Sequence, residues 1–175
     1  MAIIDNLKLL VECQSPTEDL SACKKVIDLA SNISGEVLKN SGKVLNENGR
    51  PVLWIGAENP VVVLLAHLDT VWPIGSFNPT WKVDGDLVFG PGAFDMKAGF
   101  LQALYALQGI DLTKVALIAT TDEEVGSQTS RDLIKRVSAK AKAVLVLEAS
   151  LNGKVKTGRK GTARSEEHTS ELQSR

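Results

Sequence analysis

The sequence predicts an α/β domain, a three-layer sandwich with helices on both faces of a mostly parallel central sheet. Three observations predict it. From Pro60 onward the chain alternates in the order strand, long loop, helix, strand, helix, strand, the pattern that builds a sheet covered by helices. The runs PVVVLLAH, KVALIATTDEE and AKAVLVLEAS are continuously apolar before their polar ends, as in strands buried on both faces. The 175 residues are 43% apolar and 23% charged, with 20 basic against 21 acidic side chains, and that mix is an ordinary globular one. It excludes disorder, which needs low hydrophobicity and high net charge. It also leaves no basic excess for gripping nucleic acid. No apolar run approaches the roughly 20 residues of a membrane span.

Each element has a local reason. Ile3, Ile4, Leu7, Leu10 and Val11 recur at helical spacing, and Ser15-Pro16 ends that helix. Thr17, followed by Glu18 and Asp19, reads as the start of a second helix. It carries Leu20, Cys23, Ile27 and Ala30 to about Asn40, with Gly35 as a weak point. GKVLNENGRPVLWIG reads as two strands joined through Asn48-Gly49, a strong hairpin signal. Asn59-Pro60 is a turn before the first buried strand. KVDGDLVFGPG reads as a short hairpin or turn and MKAGFLQALYALQ as a helix. SQTSRDLIKRV reads as a helix capped near Ser127 or Thr129, and AKAVLVLEAS as a third buried strand.

The N-terminus carries Asp5 and Glu12 in its apolar stretch and has no basic start, so it does not read as a signal peptide. Cys13 and Cys23 are the only cysteines, too few for a disulfide scaffold and not spaced as a zinc knuckle. The expected setting is reducing and cytoplasmic.

Ligands of open α/β sheets bind beyond the carboxyl ends of the strands. His67 and Asp69 follow the first buried strand, Asp122, Glu123 and Glu124 the second, and Glu148 the third; Asp95 lies on the loop between. One imidazole among several carboxylates suits a divalent metal such as zinc, since the acids would otherwise repel one another. His67 and Asp69 are two apart and share a side of extended chain, so Asp69 could hold the second ring nitrogen. Glu123 and Glu124 diverge, so one could face a metal and the other a water, as a general base. Each group also has an ordinary reading, as a loop histidine, a solvated acidic turn or a helix cap. Their joint placement at successive strand ends carries more weight than any one of them. A phosphate loop, a dinucleotide fingerprint and a G-x-S-x-G elbow are all absent.

The motifs AHLDTV, GPGAFDMKAG, TTDEEVGS and VLEAS, preceded by SPTED, resemble in order and spacing the zinc-dependent aminoacylase/carboxypeptidase family. That family includes glutamate carboxypeptidase, acetylornithine deacetylase, succinyl-diaminopimelate desuccinylase and peptidase T. The resemblance covers Ile3 to Ala163. It implies that His67 and Glu148 hold one zinc, that Glu124 holds a second, and that Asp95 bridges the two. Co2+ or Mn2+ are the expected substitutes. It further implies that Glu123 is the general base and acid acting on the bridging water, that Asp69 orients His67, and that the Asp95-Met96 bond is cis. The substrate would be a small peptide or an N-acyl amino acid, with no nucleic acid or membrane partner, and the full-length parent would be a homodimer.

The departures from that pattern are as informative. The family's second zinc needs a later histidine, which this stretch lacks. A smaller dimerisation domain, expected after a stretch like Lys156–Gly161, is absent, as is the second half of the catalytic domain. Residues 1–163 therefore read as the N-terminal part of a dizinc hydrolase catalytic domain, with little or no activity expected alone. The tail RSEEHTSELQSR, residues 164–175, is almost devoid of apolar residues. It back-translates in frame to something resembling a common sequencing-library adapter. The tail is expected to be a disordered assembly artefact, which removes His168 from consideration. The leading function is a glutamate carboxypeptidase-like hydrolase of a peptide or amide bond. The alternatives are an N-acyl-amino-acid deacylase of the same family and a non-catalytic metal-binding or interaction domain.

Overall fold

The computed structural model describes residues 2–150 and 153–158. The tail 164–175 and part of the Lys156–Gly161 stretch lie outside the described residues. Helix α1 spans Ile3–Glu12 and α2 spans Leu20–Leu38. Strands β1 (Lys43–Glu47) and β2 (Arg50–Gly56) form the expected hairpin, with Asn48 and Gly49 both at positive φ, 51° and 92°. That pair of conformations matches the twist of a two-residue connection. Then follow β3 (Val62–His67), a small hairpin of β4 (Lys82–Asp84) and β5 (Leu87–Phe89), α3 (Ala98–Ala106), β6 (Val115–Thr120), α4 (Arg131–Ser138) and β7 (Ala143–Val146).

The main sheet has the order β1-β2-β6-β3-β7. Strand β3 runs parallel to both β6 and β7, while the hairpin enters antiparallel through β2 on β6. The sheet is therefore mixed, parallel in the half that carries the polar strand ends. Its two faces are both apolar, with successive residues divided between them. On one face Leu53, Ile55, Leu64, Leu117 and Ala119 pack against Leu10 of α1, Val26 and Ile27 of α2, and Phe100 and Leu104 of α3. On the other, Val52, Val63, Ala116 and Ile118 meet Leu133 and Val137 of α4. Helices thus cover both faces, as the sequence predicts.

Three local expectations need correction. Helix α2 starts after Asp19, whose side chain accepts the amide of Ala22 at 2.9 Å; Thr17 is used elsewhere. The helix then runs unbroken through Gly35. Helix α4 begins at Arg131, later than Ser127 or Thr129, because Thr129 and Ser130 are bonded back to Asp122. Strand β7 is apolar but exposed, with Leu145 and Val146 at 52% and 55%. It is the outer strand of the sheet, so an apolar run alone did not determine burial.

Gly99, near the start of α3, packs directly on the carbonyl of Leu147, where a Cβ would collide. This close approach sets the end of β7, and hence Glu148, beside the loop that carries Asp95. Gly99→Ala should push those two segments apart. We expect a loss of about 1–3 kcal/mol, the usual range for overpacking, in urea unfolding; an unchanged midpoint would contradict this placement.

Candidate active site

Because β6, β3 and β7 are adjacent and parallel, their carboxyl ends open on one edge, with β3 in the middle. His67 closes β3 and is 2% exposed. Its Nδ1 lies 3.1 Å from the Asp69 carbonyl oxygen and 3.4 Å from the Asp69 carboxylate. The carbonyl makes the closer contact, so Asp69 meets the ring through its backbone as well as its side chain. A proton on Nδ1 leaves Nε2 as the outward-facing donor atom. Nε2 stands 3.1 Å from Asp95 Oδ1 and 3.9 Å from Glu123 Oε2.

Asp95 is carried by the irregular turn Ala93–Lys97, in which it and Met96 leave helical geometry. The Asp95-Met96 bond is cis, as the resemblance implies. Lys97 anchors this turn from below. Its ammonium is fully buried and donates to the carbonyls of Leu10 and Cys13 at 2.9 and 3.1 Å. Burial brings its pKa down to about 8, with Cys13, Cys23 and Asp69 opposing the fall. The polar tip of Lys97 thus satisfies the carboxyl end of α1 and ties that helix to the site. Sequence reasoning had no signal for this.

Glu123 and Glu124 sit on a short turn after β6. Their backbone amides point at Asp69 Oδ1 and Oδ2, at 3.4 and 3.3 Å. The third acid of the run behaves differently. Asp122 faces inward and accepts Thr129 N, Thr129 Oγ1, Ser130 N and Ser130 Oγ at 2.6–2.9 Å. It fastens the loop that presents Glu123 and Glu124 rather than joining them.

Ligand atoms of His67, Asp95 and Glu124 all lie within 4.8 Å of one another. Among the described residues this is the one such group. Glu148, after β7, is outside that group. It lines a cavity of about 310 Å³ together with His67, Glu123 and Met96. The structure therefore brings every sequence-nominated residue, His67, Asp69, Asp95, Glu123, Glu124 and Glu148, to one edge of the sheet.

The electrostatics are those of crowded acids around one imidazole. Burial alone would lower the His67 pKa, but the Asp69 hydrogen bond and the charges of Asp69, Glu123 and Asp95 raise it to about 9. Burial lifts the Glu123 carboxyl; His67 pulls it back, and Glu148, Asp69 and Asp95 push it up further. Glu124 is raised in the same way, by burial first and then by Asp95, Asp69 and Glu123 against the pull of His67. Imidazole and carboxylate donors this close together, and this mutually repulsive, fit a divalent cation.

Asp122 is shifted the other way. Burial would raise it, but the Ser130 and Thr129 hydrogen bonds hold it below the usual carboxylate range. A pKa lower in the folded than in the unfolded state gives stability that is present above about pH 4 and lost as pH falls through the folded value. Asp122→Asn should flatten that acid limb and destabilise the chain by about 1–3 kcal/mol near neutrality. Thermal midpoints from pH 3 to 7 test this; parallel profiles for the two proteins would contradict it.

A buried imidazole flanked by convergent carboxylates, at the carboxyl edge of a helix-covered sheet, is the donor set of a divalent-metal site. The peptidase family M20/M25/M40 matches residues 63–165, more than half of the chain, and the chain belongs to this family. Its members depend on a metal. Carboxypeptidase G2 of Pseudomonas sp. (strain RS-16) is 32% identical over 181 residues, covering 93% of this chain. The chain spans 42% of that relative's length. Among solved structures, an M20 family metallo-carboxypeptidase from Sulfolobus solfataricus has a TM-score of 0.63 at 20% identity, over 86% of this chain and 38% of that one. A tripeptidase from Staphylococcus aureus has a TM-score of 0.61 at 21% identity, over 85% and 43%. These two likenesses support the shared fold.

Proposed function

We propose that this chain carries the metal-binding half of a hydrolase that cleaves a peptide or amide bond of a small substrate, in the manner of a carboxypeptidase. The observation that carries the reading is the convergence of His67, Asp95 and Glu124 within 4.8 Å, with Glu123 3.9 Å from the same imidazole nitrogen. His67, Asp95 and Glu124 would hold the metal, and Glu148, which lines a cavity with His67 and Glu123, would be a further ligand. Zinc is the cation we propose, because it accepts both imidazole and carboxylate donors. When bound, such a cation polarises a carbonyl and makes water a nucleophile near neutral pH.

The remaining work falls to the chain itself. Glu123 is half-buried and lines the cavity beside His67, and its carboxyl is raised by burial and by its acidic neighbours. A raised carboxyl is a stronger base and holds the proton it takes. We assign it the removal of a proton from the attacking water and the return of a proton to the leaving amine. Asp69, fully buried, fixes the ring of His67 and the turn bearing Glu123.

The likeness to a carboxypeptidase at 32% identity favours release of a C-terminal amino acid from a peptide over removal of an N-acyl group from an amino acid; in both the amine is the leaving group. The 175-residue chain alone should bind metal and turn over substrate weakly or not at all. Its one other histidine, His168, lies in the tail, and the family match ends at residue 165. We propose that the tail 164–175 is foreign to the domain. The test is a metal titration of this chain, followed by assays of a chain extended to the length of its relatives. Folate-like and dipeptide substrates would be compared with acetylated amino acids. Preference for acetylated substrates would replace the carboxypeptidase reading with the deacylase one. Absence of metal binding would remove both.

A further inference from the structure

We infer that Thr17 is a positioning residue of this site. Its hydroxyl fixes the Asp69 carboxylate, and through it the His67 ring and the turn bearing Glu123 and Glu124. Thr17 is 4% exposed and its Oγ1 donates to Asp69 Oδ2 at 2.8 Å. That is the shortest contact the carboxylate makes. The amide of Glu124 reaches the same oxygen at 3.3 Å, and the amide of Glu123 reaches Oδ1 at 3.4 Å. His67 Nδ1 is also 3.4 Å from Oδ1. Contacts of that length are longer than the Thr17 bond and fix the plane of the carboxylate less firmly than it does. A carboxylate turns easily about its last torsion, so the one short bond sets its plane.

Thr17 is itself rigidly held, which a positioning group requires. Its amide donates to the Thr70 carbonyl at 3.1 Å, and the Thr70 amide donates back to Ser15 at 2.9 Å. Residues 15–17 thereby lie parallel to 69–71, the segment containing Asp69, with Pro16 opposite Thr70. Ser15 Oγ donates to the Leu68 carbonyl at 2.6 Å. Arg50 Nη1 spans the carbonyls of Thr17 and Thr121, at 2.6 and 2.8 Å. The N-terminal segment, the end of β3 and the end of β6 are locked together around one carboxylate. This explains why Thr17, which the sequence suggests as a helix start, leaves that role to Asp19.

The inference rests on the metal reading of the site, so its test has one arm that needs no metal. Thr17→Val keeps the shape and removes the donor; Thr17→Ser keeps the donor. In the metal-free 175-residue chain, amide hydrogen exchange at Glu123 and Glu124 is measured relative to core amides such as Leu117. It should quicken about tenfold in Thr17→Val, the scale of one lost hydrogen bond, and return to normal in Thr17→Ser. In the second arm, Co2+ should bind Thr17→Val more weakly, by less than the roughly 10–100-fold expected on removing the ligand's own outer partner, Asp69. Its visible absorption band should shift, and Thr17→Ser should recover both. Unchanged exchange in Thr17→Val overturns the inference. So does a loss that serine fails to restore, since that assigns Thr17 to packing. Failure of the unmodified chain to bind Co2+ instead overturns the metal reading, and the exchange arm still decides the role of Thr17.

Discussion

In a chain extended to the length of its relatives, Glu123→Gln should lower turnover about 10²- to 10⁴-fold, the range of general acid–base catalysis, and leave metal affinity nearly unchanged. Glutamine has almost the same shape and keeps the backbone amide on Asp69, so the turn that carries Glu124 stays in place. What disappears is a proton acceptor 3.9 Å from His67 Nε2. The metal should remain, because His67, Asp95 and Glu124 converge without any contribution from Glu123. The pairing of lost turnover with retained metal separates a base from a ligand. Equal activity would assign the proton transfer elsewhere. Loss of both would make Glu123 a ligand.

Asp69→Asn should do the reverse, weakening both the fold and the metal site. The carboxylate is fully buried and faces Thr17 Oγ1, two backbone amides and an imidazole nitrogen. Every one of these neighbours can present a hydrogen. An asparagine side chain offers one acceptor oxygen and an NH2 group with two donor hydrogens, so that NH2 must confront at least one of them. Hydrogen bonds to a charged group are worth about 1.5–3 kcal/mol each, and a loss of that order is expected in denaturant unfolding. The imidazole also loses its carboxylate partner, so metal affinity should fall by a further 10–100-fold or so. Both quantities can be measured on the same preparation by urea unfolding of the metal-free protein and by Co2+ titration. Normal stability with normal affinity would show that Asp69 is not the hub described.

The parts of this molecule that were legible in the sequence are those decided locally. The runs ending in His67 and Thr120 are strands that the sheet and its helices bury, the run ending in Val146 extends the same sheet at its edge, and Asn48-Gly49 fits a two-residue hairpin connection. Their shared edge follows from the alternation of strand and helix, which is why the polar strand ends could be grouped before any coordinates. Burial of β7 was not legible, because it depends on which strands and helices stand beside it. Nor could the sequence divide the labour among Asp122, Glu123 and Glu124. Three adjacent acids look alike until Thr129 and Ser130 fold back on the first. Thr17 and Lys97 were missed for a similar reason. Their partners are 52 and 84–87 residues away, and no spacing rule reaches across such distances.

The most direct test of the account is the anomalous diffraction of crystals of this chain soaked in Zn2+ and measured at the zinc absorption edge. A peak is expected among His67 Nε2, Asp95 and Glu124, with Glu123 beside it. A peak held by other residues, or no peak at this edge of the sheet, would contradict it.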